Sequence, residues 1–176
     1  MEKSFKSNAV NFGLYLGLAL TAITVLVYAM NMDVFVKWQF SILLFLLVVV
    51  MGIISAVKSR KLLGGFISFK DAFTSYVITV AIGTLISTLV GIVVFNFIDP
   101  EAAQELNEKI MIATKESMES FGAPAESIQE QMKKMQDTDN FAIGKQVQNY
   151  VIGLAIYCVF GLIGAAIVKK NDPDKA

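Results

Sequence analysis

The side chains in this chain that could do chemistry are few, and most are oxygen-bearing. Asp99 and Glu101 stand either side of Pro100, a spacing that could place two acids at one surface for proton transfer. Asp137-Thr138-Asp139-Asn140 offers oxygen ligands of the sort calcium takes, but it lacks the glycine and the distal glutamate of an EF-hand loop. Thr79, Gly83, Ser87 and Gly91 recur every four residues with Thr84 and Thr88 beside them, so hydroxyls on one helix face could line a polar path. Cys158 is the single cysteine and the chain has no histidine. That excludes an internal disulfide, a cysteine cluster for zinc and any serine–histidine or His-Glu-x-x-His chemistry.

Each of these features also has a plainer structural use. Asp99 at an N-cap followed by Pro100 at the first helical position is a helix start, with Glu101 favouring the positive end of the dipole. Asp139 reads as the N-cap of the last helix. The small-residue face of Thr79, Gly83, Ser87 and Gly91 reads as a packing stripe, as does Gly13-x-x-x-Gly17 continued by Thr21. Gly161 stands on the corresponding stripe of the last apolar segment, after Gly153 and Tyr157. No catalytic residue, cofactor or metal is assigned, and an enzyme is not expected.

The elements that must carry these residues follow from charge segregation. The 176 residues are 55% apolar and 17% charged. Four windows hold no Asp, Glu, Lys or Arg: Ser7–Met32, Trp38–Val57, Ala72–Ile98 and Gln146–Val168. Each is long enough, at ~1.5 Å per residue, to cross about 30 Å of hydrocarbon. The expected fold is all-α: an integral membrane four-helix bundle with spans near 9–30, 38–57, 72–98 and 147–168. The first apolar stretch is longer than the ~7–15 residues of a signal peptide core, so it reads as an uncleaved span. A soluble stretch, 99–145, separates spans three and four, and a charged tail follows span four to residue 176. In 99–145, Ala103, Leu106, Ile110, Ala113 and Phe121 recur at helical spacing. Gly122-Ala123-Pro124 breaks the pattern, and Ile128, Met132 and Met135 resume it. A helical hairpin with an apolar seam is expected there, with ten acids against five lysines.

Between spans two and three the chain must turn within a few residues. Gly64-Gly65 is the only such pair and permits positive φ, while Ser68 with Asp71 three residues on forms a capping pair that restarts a helix. Lys58, Arg60, Lys61 and Lys70 make this hinge basic, and the termini add Lys3, Lys6, Lys169, Lys170 and Lys175. The connection Asn31–Lys37 carries Lys37 alone. By the positive-inside rule both termini and the hinge are cytoplasmic and the hairpin is outside.

Two stretches carry a family resemblance, Gly64-Gly65-Phe66-Ile67-Ser68-Phe69-Lys70-Asp71-Ala72-Phe73 and Phe95-Asn96-Phe97-Ile98-Asp99-Pro100-Glu101. Together they resemble the bacterial membrane proteins grouped as domain of unknown function 4199. The resemblance implies four spans, a variable helical segment before the last of them, and a bacterial inner-membrane location. It implies no activity, ligand or catalytic residue, because none is established for the family.

Balanced net charge gives no reason to expect a nucleic-acid partner. The expected partners are membrane lipid, a protein at the outer hairpin, or a second copy of the chain. The function expected is a scaffold, adaptor or assembly factor, and the alternative is an oligomeric transporter or channel subunit joined through the glycine faces. The absence of any ionisable residue within a span ranks transport second.

Overall fold

The computed structural model describes residues 2–171, with side chains from Phe5 onward. Its order is α1 (Glu2–Met30), a 3-10 turn (Met32–Val36), α2 (Trp38–Leu62), α3 (Phe69–Val93), a π-helical turn (Val94–Ile98), α4 (Pro100–Ser120), α5 (Ala125–Gln136) and α6 (Ile143–Val168). Among the described residues there is no strand, only one isolated bridge between Ile67 and Lys170. The charged tail at 172–176 lies outside the described residues.

Four helices are long and apolar enough to cross a membrane: Phe5–Met30, Trp38–Leu62, Phe69–Ile98 and Ile143–Val168. They extend beyond the charge-free windows at the hinge end, where Lys58, Arg60 and Lys61 ride the last turns of α2 and Lys70 and Asp71 the first turn of α3. Backbone hydrogen bonding continues past the hydrocarbon boundary until a cap stops it, so charge marks the membrane edge and not the helix end.

α2 and α3 each touch the other three spans, while α1 and α6 lie on opposite flanks. α1 and α3 run parallel and form the closest pair. Leu16 sits over Gly83, and Ile82 and Ile86 of α3 sit over Gly13 and Gly17. Without a water-driven term inside lipid, such close backbone approach is what lets dispersion hold two helices together. Leu16, Leu20, Val48, Tyr76 and Val80 form the buried centre of the bundle. A second cluster, Ala56, Ile67, Ala72, Ala165 and Val168, closes the hinge end.

The hinge is built as its residue types require. Gly64 and Gly65 take φ of +83° and +93°, and their amides donate to Lys61 and Arg60 carbonyls at the end of α2. Ser68 Oγ accepts from the Asp71 amide at 3.0 Å and its hydroxyl donates to Asp71 Oδ2 at 2.7 Å. Ile67 then pairs with Lys170 through two backbone bonds of 2.9 and 3.0 Å, and Arg60 Nη1 donates to the Val168 carbonyl at 3.1 Å. The second loop is thereby tied to the end of the fourth span.

Candidate functional site

The chain presents three regions where polar groups converge. The first is a buried hydroxyl network toward the hinge end, linking α1, α2 and α3. Ser75 Oγ lies 2.8 Å from Ser59 Oγ and 3.2 Å from Ser55 Oγ. The Thr79 hydroxyl donates to the Ala9 carbonyl at 3.0 Å, and its oxygen lies 2.7 Å from Ser55 Oγ. Asn8 Nδ2 donates to Ser59 Oγ at 3.1 Å and to the Ser55 carbonyl at 3.3 Å. Ser55, Ser59, Ser75 and Thr79 are fully buried. Each of the four hydroxyls has a partner inside the protein, so the network fixes helix register and leaves no hydroxyl over for a ligand. Sequence reading passed over Asn8, Ser55, Ser59 and Ser75. The available signal was two facing pairs, Ser55/Ser59 and Ser75/Thr79, each four residues apart.

The second region is the base of the hairpin. Tyr28 at the end of α1 donates to Asp99 Oδ2 at 2.6 Å, while Asp99 Oδ1 accepts from the Ala102 amide at 3.0 Å. Asp99 therefore caps α4, with Pro100 at its first position, and fastens α4 to α1 as well. Ala102, Ala103 and Leu106 bury against Phe95, with Tyr28, Met32, Phe35 and Phe141 around them. Lys109 pairs with Asp33 of the first connection and with Glu105. The hydrogen bond from Tyr28 and the backbone amides hold the Asp99 carboxyl below the ordinary aspartate range.

That shift has a pH consequence. A lowered folded-state value means the carboxylate stabilises the anchored hairpin at neutral pH and loses that effect as pH falls through the lowered value, below the usual aspartate range near about 4. Amide exchange in the segment 100–106, corrected for intrinsic rates, is expected to rise several-fold between pH 6 and pH 3. Asp99→Ala should show the faster rate at both. Protection that stays constant over that range in the wild type would exclude the carboxylate as the anchor.

The hairpin itself departs from expectation at two residues. Phe121 is 90% exposed at the turn after α4 and does not join the seam, because the helix ends at Ser120 and the chain reverses through Gly122 at φ +72°. Asp139 does not cap α6, whose N-cap is Ala142 without a side-chain bond. Asp139 Oδ1 accepts instead from the Phe141 amide at 2.8 Å and from Asn107 Nδ2 at 3.1 Å, and Asn107 Oδ1 accepts from Asn140. A short aspartate bonds its own backbone two residues on as readily as it caps a helix, and Asn107 on α4 settles the choice. Met111 and Met135, on α4 and α5, line one cavity of about 610 Å³ between those helices, with Phe95 and Phe141 at its base.

The third region is a cleft of about 570 Å³ at the same end of the bundle, reaching in between α3 and α6. Leu20, Leu44, Val48, Leu154 and Tyr157 make its apolar wall. Thr84, Ser87 and Thr88 face it from α3, and Gln146, Asn149 and Tyr150 from α6. Ile110, Asn140 and Phe141 form its roof.

The small residues singled out by spacing fall into different surroundings. Gly13, Gly17 and Gly83 lie in the α1–α3 contact. Gly161 abuts the Tyr76 ring, which has Gly52 against its other edge. Ser87 lines the cleft, and Gly91 faces only the Gln146 side chain. A four-residue step turns about 40° beyond a full helical turn, so a stripe that starts on α1 ends at α6.

Four apolar helices of this length, bundled around glycine contacts and joined by one polar hairpin, define a multi-pass α-helical membrane protein. Residues 11–170 match the family model described as "Protein of unknown function (DUF4199)", and the chain belongs to that family. No curated protein and no solved structure matches it.

Proposed function

We propose that this protein is a non-enzymatic scaffold, adaptor or assembly factor of the bacterial inner membrane. Its termini and basic hinge lie in the cytoplasm, and its α4–α5 hairpin is offered outside to a protein with a basic surface. The observation that carries this reading is the contrast between the hairpin's base and its surface. The base is fixed by Asp99, Leu106 and Lys109, whereas α5 has no fully buried residue and Phe121 stands out at the turn.

The surface is acidic after internal pairing is taken into account. Lys109, Lys115 and Lys134 are each engaged by acids of the hairpin or the first connection. Glu101, Glu108, Glu116, Glu126 and Asp137 are exposed and have no ion pair among the described residues. An excess of one sign on a rigid arm favours encounter with the opposite sign and repels anionic lipid. An oligomeric transporter or channel subunit is the alternative. Of the glycines on which it would assemble, Gly13, Gly17 and Gly83 are covered by Ile82, Ile86 and Leu16 of the same chain, which favours the first reading.

A photo-crosslinking residue at position 121, introduced at native expression level, tests it. One discrete foreign adduct is expected, lost when Glu116 and Glu126 are both changed to lysine and retained at low salt when they are changed to glutamine. Adducts only to a second copy of the chain would replace this reading with the oligomeric one.

A further inference from the structure

We infer that the cleft between α3 and α6 binds a neutral amphiphile, a single hydrocarbon chain ending in an uncharged hydrogen-bonding head group. Three observations on the lining lead there. Its deep wall is wholly apolar apart from the Tyr157 hydroxyl, with Val48, Leu154 and Tyr157 packed on the same buried cluster as Tyr76. From Tyr157 to Gln146 the cleft follows α6 for ~16 Å, from mid-span to the hairpin end, so its axis suits a chain lying along the membrane normal.

The mouth carries the second observation. The side chains of Ser87, Thr88 and Asn149 line it and make no hydrogen bond within the protein among the described residues, unlike those of Thr84, which bonds the Val80 carbonyl, and Tyr150, which bonds the Ala81 carbonyl. Ser87 and Thr88 are half-buried and Asn149 is exposed, so all three can be reached from the cleft, and a ligand head group supplies donors and acceptors together.

The third observation is charge. No Asp, Glu, Lys or Arg lines the cleft, so an ion inside it would be desolvated without compensation. The volume of about 570 Å³ falls within the ~300–1,000 Å³ common for small-molecule sites. Ile110, Asn140 and Phe141 complete the lining on the hairpin side, and the Asn107 bonds to Asp139 and Asn140 hold that segment in place.

Gly153 supplies the test. It lines the cleft, and a Cβ built there meets no atom within 4 Å, so a large side chain fits by filling the space. Gly144, equally open but outside the lining, is the control. The full chain in nanodiscs would be photolabelled with a monoacylglycerol carrying a mid-chain diazirine, and with a phosphate-headed lipid bearing the same chain. Adducts from the neutral probe are expected on α3 between Thr84 and Thr88 and on α6 between Asn149 and Tyr157. Their yield should fall about tenfold, equivalent to 1.4 kcal/mol of binding, in Gly153→Phe and not in Gly144→Phe. Asn149→Leu, which keeps the cleft's shape, should weaken labelling by the neutral probe in the same peptides. Equal labelling of the two glycine variants, or adducts spread evenly over the lipid-facing helix surfaces, would overturn the site. Equal labelling by the phosphate-headed probe would overturn its neutral character.

Discussion

Gly161→Leu is expected to melt the bundle from its middle, lowering the unfolding midpoint in mild detergent more than any surface change. Tyr76 is 1% exposed and lies between two glycines, Gly161 of α6 and Gly52 of α2. A Cβ at position 161 would fall 2.5 Å from the Tyr76 ring, and one at position 52 would fall 2.6 Å from the same ring. The ring therefore cannot retreat from one helix without striking the other. Overpacking a core by a methylene or two costs about 1–3 kcal/mol, and leucine adds four carbons, so the loss should reach or exceed the top of that range.

A double variant separates this clash from a general dislike of leucine. Tyr76→Ala by itself should destabilise by about 3–5 kcal/mol through the cavity it opens, judged by large aromatic truncations. In Gly161→Leu/Tyr76→Ala the new side chain enters that cavity. The pair should then be markedly more stable than the sum of the single effects, a coupling of about 0.5–3 kcal/mol. Additive losses would mean that Tyr76 is not what confines position 161.

The second large effect is an asymmetry along one stripe. Gly83→Leu should abolish a stable monomer fold, whereas Gly91→Leu should stay within about 1 kcal/mol of the wild type, since replacing a helical glycine also gains intrinsic propensity. At Gly83 an added Cβ meets Leu16 Cγ at 2.6 Å and Leu16 Cβ at 2.8 Å, and the latter atom is fixed to the α1 backbone. At Gly91 it meets only Gln146 Oε1 at 3.3 Å, the far end of a flexible side chain. Unfolding midpoints and size-exclusion profiles of the two variants would show it. If Gly83→Leu melted like the wild type but lost a larger assembly, the stripe would belong between protomers, and the oligomeric reading would gain.

Much of this was legible in one dimension. Membrane crossing depends on length and composition, so the four charge-free windows were sufficient to count the spans. Helix starts and tight turns depend on one or two side chains acting on nearby backbone. Ser68, Asp99, Pro100, Gly64 and Gly65 could therefore be placed from type and spacing alone, and each occupies such a cap or turn. The hairpin's break at Gly122 was local in the same sense.

What spacing could not assign was the partner of each group. Asp139 had two local options, and Asn107, 32 residues earlier, decided between them. Tyr28 meets Asp99 across 71 residues and Asn8 meets Ser59 across 51, pairings that depend on how parallel and antiparallel helices are staggered. The stripe of Thr79, Gly83, Ser87 and Gly91 looks uniform in sequence, yet its small rotation per step carries it from a tight helix contact to an open cleft. The sequence by itself determined the number of spans, their capped ends and the polar hairpin, because these are set by composition and by neighbours along the chain. Only the tertiary structure decided which glycines are clamped, which hydroxyls are satisfied and where the cleft lies, because those depend on distances between segments that no local pattern encodes.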